Sequence, residues 1–242
     1  MPEAPPPPDA APGHRGSRQK LGPRDLPRFP GATLFDELGR ALCGASALPR
    51  KELFESWEVA RRVLRRHRGG PVVDLAGGHG LTGWLIALQD RDTPQVTIID
   101  RSLPPSAARI HAALAARWPG IAEKVHHIEA DLGAPGLPPL GPGHRVVAVH
   151  ACGALTDRAL DLALGARARV AVLPCCHSHA RLDDGGMSGW MDRDLAIDSQ
   201  RAARLKAEGY SVWTSTIPAD ITPENRLLIG SPAGGAKDQG YP

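Results

Sequence analysis

Val72-Val73-Asp74-Leu75-Ala76-Gly77-Gly78-His79-Gly80 is the stretch that decides the fold. Three branched apolar residues around one acid read as a buried strand, and they run straight into a loop of small residues. Glycine suits a backbone that must turn tightly and approach a ligand closely. A helical pattern over 81–89 follows, and the N-terminal end of such a helix carries partial positive charge toward whatever the loop holds. A strand, a glycine loop and a helix in that order open a βαβ unit.

Outward from this unit the alternation continues. Strands are predicted at 71–76, 95–99, 125–129, 145–150, 169–173, 211–217 and 226–230, with helices around 81–89, 105–117, 156–164 and 193–208. That rhythm predicts an α/β fold with a doubly wound, mostly parallel seven-stranded sheet, whose ligand site lies beyond the carboxyl ends of the strands. The last two strands, joined by a loop, are expected to form an antiparallel hairpin. Upstream, Leu34, Phe35, Leu38 and Leu42, then Leu53, Phe54, Trp57, Val63 and Leu64, recur at helical spacing and predict a helical cap over 31–68 ahead of a core at 71–230. Residues 1–30, rich in Pro, Gly and Arg, are expected to be a disordered tail, and 231–242 a flexible one.

Composition sets the class. At 242 residues, 42% hydrophobic and 23% charged, the chain can bury one sizeable core. Four cysteines without a CxxC pair argue against a disulfide framework and fit a reducing compartment. The opening residues lack a signal-peptide pattern, and no apolar run is long enough to span a bilayer, so a cytoplasmic protein without membrane partners is expected. A net charge of +3 decides little. The run Arg61, Arg62, Arg65, Arg66, His67, Arg68 before Gly69-Gly70 reads as a helix C-terminus whose cations complement the dipole; an RNA-facing patch is the alternative.

Gly78-His79-Gly80-Leu81-Thr82-Gly83 fits the dinucleotide pattern GxGxxG, which alone is weak evidence for NAD. Asp74 shifts the reading. The segment Asp74-x-Ala76-x-Gly78-x-Gly80 resembles the acidic-x-Gly-x-Gly-x-Gly motif of class I S-adenosylmethionine (SAM)-dependent methyltransferases, with Ala76 in the first glycine position. Alanine there costs little provided φ stays negative. In this reading Asp74, Ala76, Gly77, Gly78 and Gly80 hold the methionine end of the cofactor, Asp100 at the end of the second strand takes the ribose, and Asp131 with Leu132 after the third strand takes the adenine. Each acid alone is equally an ordinary strand-end turn residue; the three together favour SAM over NAD.

Two further segments follow later strands: His150-Ala151-Cys152-Gly153-Ala154-Leu155-Thr156-Asp157 and Pro174-Cys175-Cys176-His177. His150, Cys152, Cys176 and His177 are expected to floor an acceptor pocket, with His177 or His150 as general base. Buried cysteine packing and a hydrogen-bonded histidine are the plain alternative, and Thr156 or Asp157 reads as a helix cap. No metal site is expected, because adjacent Cys175 and Cys176 point to opposite faces if extended.

These two segments, with Lys51-Glu52-Leu53-Phe54-Glu55 and Ile221-Thr222-Pro223-Glu224-Asn225-Arg226, resemble a methyltransferase branch. It contains the methyltransferase-like-25 proteins, the glutathione S-transferase C-terminal-domain-containing methyltransferases and the tRNA 2′-O-methyltransferases acting on the acceptor stem. The resemblance covers about 50–230. It implies transfer of a methyl group from SAM and, in the tRNA branch, an RNA hydroxyl as acceptor. RNA (tRNA or rRNA) is the first acceptor expected and a protein side chain the second. A small-molecule acceptor, a non-catalytic SAM-binding module and an NAD-dependent oxidoreductase are the competing readings.

Overall fold

The structure, a computed structural model, describes residues 15–177 and 182–234. Helices α1 (Leu34–Ala45) and α2 (Arg50–Arg66) precede the sheet. The strands are β1 (Val72–Leu75), β2 (Val96–Asp100), β3 (Val125–Glu129), β4 (Arg145–Val149), β5 (Arg169–Leu173), β6 (Tyr210–Thr216) and β7 (Arg226–Pro232). Between them run α3 (Leu81–Gln89), α4 (Pro105–Arg117), a single turn α5 (Pro119–Ala122), α6 (Ala154–Gly165) and α7 (Arg193–Ala207).

The strand order is β3-β2-β1-β4-β5-β7-β6. The first five strands are parallel, and β7 pairs antiparallel with β5 on one side and β6 on the other. This is the doubly wound α/β sheet with a terminal hairpin that the alternation predicts. The chain moves outward from β1 to β3, then returns to lay β4 against β1, where Val72 aligns with Val96 on one side and Arg145 on the other. That reversal between β1 and β4 creates the crevice beyond the strand ends where such sheets bind ligands.

Strand alternation assigns the two faces. Val72, Ile98 and Val147 join the apolar cluster of α1–α4, whereas Val73, Leu75, Ile99, Val146 and Val170 join the cluster containing Leu160 of α6 and Leu205 of α7. Between β3 and β4 no helix forms. Residues 133–143 contain Gly133, Pro135, Gly136, Pro138, Pro139, Gly141, Pro142 and Gly143, too many breakers for a helix. Leu137, Pro138 and Leu140 of this loop line a cavity of 350 Å³ against Val73, Leu75 and Ile99.

At the amino edge of the sheet a buried ion pair ties the elements. Arg145 donates to Asp90 (2.7 Å), the Thr93 hydroxyl (2.6 Å) and the carbonyls of Gly70 and His67. Both charged side chains are almost fully buried. Beside them burial, reinforced by Arg169, Arg145 and Arg66, pushes the His67 imidazole down to about 3.

The expected disorder of residues 1–30 is corrected for 15–30; residues 1–14 lie outside the described residues. Leu21 N–H donates to the Leu48 carbonyl, while Arg50 and Lys51 N–H donate to Gln19 and Ser17. Asp25 forms a buried ion pair with Arg50 (2.7 Å), and Phe29 packs onto Gly39. Leu21 and Phe29 are too few and too irregularly spaced to show a period, yet tertiary contact buries both. At the other end β7 extends through Pro232, so the expected tail begins later; 235–242 are outside the described residues. Among the described residues no helix is long and apolar enough to cross a membrane.

Candidate functional site

The glycine loop sits where β1 meets the crevice. Gly78 and Gly80 take φ of 53° and 75°, and Gly80 starts α3. A Cβ on Gly80 would lie 2.2 Å from Ile98 Cδ1, so glycine is required there both for conformation and for space. At Gly78 a Cβ would meet nothing within 4 Å, which leaves its backbone open to a ligand. Ala76 departs from expectation: its φ is +52°, a left-handed residue that costs about 1–2 kcal/mol for a side chain with a Cβ.

The strand-end acids divide into two kinds. Asp74 is buried, and its Oδ2 accepts the Gly83 N–H at 3.0 Å. Burial pushes its carboxyl up to about 7, against the lowering effect of that hydrogen bond. Through Oδ2, Asp74 therefore braces the first turn of α3 from beneath. Asp100 is only partly buried; its oxygens accept from Gly78 N–H (2.9 Å) and Ser102 N–H (3.3 Å). A carboxylate offers about four lone-pair sites, so two remain for a ligand. Asp131 is exposed and uses Oδ1 for the Gly133 N–H, leaving Oδ2 to solvent, while Leu132 is buried next to it.

The helical cap supplies two residues that the sequence reading left unassigned. Glu52 and Glu55, one turn apart on α2, reach down to the sheet edge. Glu52 Oε2 lies 2.6 Å from His79 Nε2 in the glycine loop. Glu55 Oε2 lies 2.5 Å from His150 Nε2 after β4, close enough for an ion pair though misaligned for a hydrogen bond. Both were within the quoted Lys51–Glu55 segment, but their i, i+3 spacing says only that they share a helix face.

His150 takes φ of +58°, its N–H bonds to the Leu173 carbonyl, and its side chain is 30% exposed. His177 is placed otherwise. Its ring is 1% exposed, with Nε2 2.8 Å from Asp198 and Nδ1 3.5 Å from Asp194, both on α7. Asp198 also binds Arg201 and Arg226, so His177 ties the turn after β5 to α7 and β7. The His177 ring is enclosed by these acids, whereas the His150 ring is partly exposed. The cap reading of Thr156 and Asp157 is corrected: α6 starts at Ala154, Thr156 donates to the Ala151 carbonyl, and Asp157 pairs with Arg201.

Cys152 and Cys176 are exposed and Cys175 is buried. Contrary to the expectation that Cys175 and Cys176 point apart, the Sγ atoms of Cys152, Cys175 and Cys176 all lie within 4.8 Å of one another. The reason is φ of +48° at Cys176, which turns the chain out of the extended conformation. Burial raises the Cys152 and Cys175 thiols above their ordinary range, which disfavours either as a nucleophilic thiolate.

The arginine run lies elsewhere. Thirteen residues of helix separate Glu52 from Arg65, roughly 20 Å at 1.5 Å per residue, toward the amino edge of the sheet. There Arg61 and Arg62 pair with Glu58, and Arg66 lies 5.0 Å over the Trp213 ring. These are intramolecular roles, and the run does not line the crevice.

Comparisons with known proteins bear on the family and the fold. No curated protein matches the chain in sequence. Among solved structures, a glycopeptide N-methyltransferase complexed with S-adenosyl-L-methionine is 14% identical over 74% of this chain and 94% of that one, with a TM-score of 0.50. A mitomycin 7-O-methyltransferase (20% identity, 84% of this chain and 62% of that, TM-score 0.49) is similar. So is an rRNA methylase from Streptococcus thermophilus (14%, 73% and 93%, TM-score 0.48). At these identities the likeness is one of fold. The chain spans 59%, 61% and 62% of the length of three of the longer structures it matches. The family described as "Methyltransferase domain" matches residues 57–182, just over half of the chain, from the middle of α2 through the Cys-Cys-His turn. The chain belongs to this family of methyltransferase domains.

Proposed function

We propose that the chain transfers a methyl group from S-adenosyl-L-methionine to a hydroxyl or amine acceptor at the β1–β4 crevice. The single observation that carries the cofactor is the convergence of three adjacent strand ends: the open backbone at Gly78, the spare acceptor sites of Asp100 and the free oxygen of Asp131. Asp100 would accept from the ribose hydroxyls, Asp131 and the buried Leu132 side chain would flank the adenine, and the backbone of Ala76–Gly80 would approach the methionine end. SAM, when bound, supplies an activated methyl on a positively charged sulfur.

The chain's own contribution is positioning and proton management. A methyl group moves in line, so holding donor and acceptor together does most of the work. With His150 Nε2 turned to Glu55, Nδ1 is the ring nitrogen left to take a proton from the acceptor. The Glu52–His79 contact fixes the loop against α2, so the cap and the cofactor loop form one unit.

RNA is the first acceptor class to test, on the resemblance of the His-Ala-Cys-Gly and Pro-Cys-Cys-His segments; a protein side chain is the second. Purified protein is incubated with methyl-labelled SAM and, separately, total RNA, total protein and a small-molecule extract. Label in RNA that disappears with His150→Ala supports the reading. Label in protein or small molecules moves the acceptor class. SAM binding without label in any fraction sinks the catalytic reading in favour of a binding module.

A further inference from the structure

The turns after β4 and β5 gather three sulfur atoms. Cys152 Sγ lies 3.3 Å from Cys175 Sγ, and all three sulfurs of Cys152, Cys175 and Cys176 fall within 4.8 Å of one another. They come from two separate turns, 23 and 24 residues apart in sequence, and a left-handed residue at Cys176 is needed to bring the third inward. We propose that Cys152, Cys175 and Cys176 form a three-thiolate site for a thiophilic cation of the zinc class, at the edge of the acceptor crevice.

Geometry and chemistry both fit such an ion. Zinc–sulfur bonds of about 2.3 Å set tetrahedral sulfurs about 3.8 Å apart, and sulfurs that are 3.3 Å apart in one pair and all within 4.8 Å of one another lie within about 1 Å of that spacing. Buried Cys175 anchors the site, while exposed Cys152 and Cys176 leave a path for entry. Three protein ligands leave a fourth position open, the arrangement of sites whose metal binds water or substrate. Binding replaces three S–H protons by one divalent ion and releases those protons to solvent, so affinity falls with falling pH. A second group of possible ligands, His177, Asp194 and Glu224, holds no sulfur and is distinguishable by spectrum.

The full chain, kept reduced with a non-thiol phosphine and stripped with chelator, is titrated with Co²⁺ and then Zn²⁺. The measurement requires neither SAM nor an acceptor, so it stands or falls apart from the functional reading. One equivalent of Co²⁺ should give the intense sulfur-to-cobalt charge-transfer band with tetrahedral visible bands, and Zn²⁺ should abolish both. Cys176→Ser and Cys152→Ser should each weaken the charge-transfer band by about a third or more, with circular dichroism confirming the fold, and Cys43→Ser, buried in α1, should leave it unchanged. No charge-transfer band in the wild type, or a band undiminished in both Cys176→Ser and Cys152→Ser, overturns the proposal.

Discussion

Gly80→Ala tests the cofactor loop at its tightest point. The φ of +75° puts any side chain in the left-handed region, at a cost of about 1–2 kcal/mol. The new methyl would sit 2.2 Å from Ile98 Cδ1, far inside the 3.5–4.0 Å or so at which carbons make contact. Overpacking of this kind costs about 1–3 kcal/mol, so the total loss is about 2–5 kcal/mol. Domains of ordinary stability hold about 5–15 kcal/mol, so the variant should still fold in dilute buffer. Removing Cδ1 by Ile98→Val costs about 0.5–1.5 kcal/mol alone but relieves the clash. The double variant should therefore be less destabilised than the sum of the singles, by about 1–2 kcal/mol. Urea unfolding followed by tryptophan fluorescence, with the slope checked for constancy, measures all three. A Gly80→Ala protein within about 0.5 kcal/mol of wild type, or strict additivity in the double variant, refutes the close approach.

Three more expectations follow from particular residues. Asp74, raised to about 7, binds a proton in the folded state between about pH 4 and 7 that the unfolded chain has lost; its contribution is complete below pH 4 and is lost as pH rises to 7, by as much as about 4 kcal/mol. Asp74→Asn should flatten that decline in urea midpoints measured across pH, and an unchanged slope would show that Asp74 titrates normally. Asp90→Ala strands the Arg145 guanidinium and should cost about 3–5 kcal/mol in the same assay, a loss of under about 1 kcal/mol contradicting the buried pair. Ala76→Gly removes a strained Cβ worth about 1–2 kcal/mol at the expense of about 0.4–1 kcal/mol in the unfolded chain, so thermal unfolding should shift slightly upward; a clear fall would contradict the left-handed backbone.

Legibility in the sequence followed the physics of burial. The central strands β1, β4 and β5, mostly buried on both faces, read as apolar runs, and all seven strands lie within two residues of their predicted ends, with α3, α4, β3 and β5 matching residue for residue. The glycine loop was legible because left-handed turns select glycine, and the places of Asp100 and Asp131 at the ends of β2 and β3 followed from the strand pattern. What escaped was set by contacts between distant segments. Leu21 and Phe29 gave no period, yet both are buried against the helical cap. Glu52 and Glu55 could be placed on a helix face, but their partners lie 27 and 95 residues further along. Ala76, His150 and Cys176 all adopt positive φ at the same sheet edge, and no non-glycine residue advertises that conformation. From it follow the corrected cost at Ala76 and the convergence of the sulfurs. Likewise nothing in the sequence signals that Asp74 reaches the Gly83 N–H, nine residues further along.

The central claim is the identity of the cofactor in the crevice, and isothermal titration calorimetry addresses it directly. The full chain should bind SAM and S-adenosylhomocysteine with one equivalent each and show no heat with NAD. Asp100→Ala should weaken SAM by about tenfold to a hundredfold, the loss of charged hydrogen bonds worth about 1.5–3 kcal/mol. Saturable NAD binding with no SAM binding would contradict the account outright.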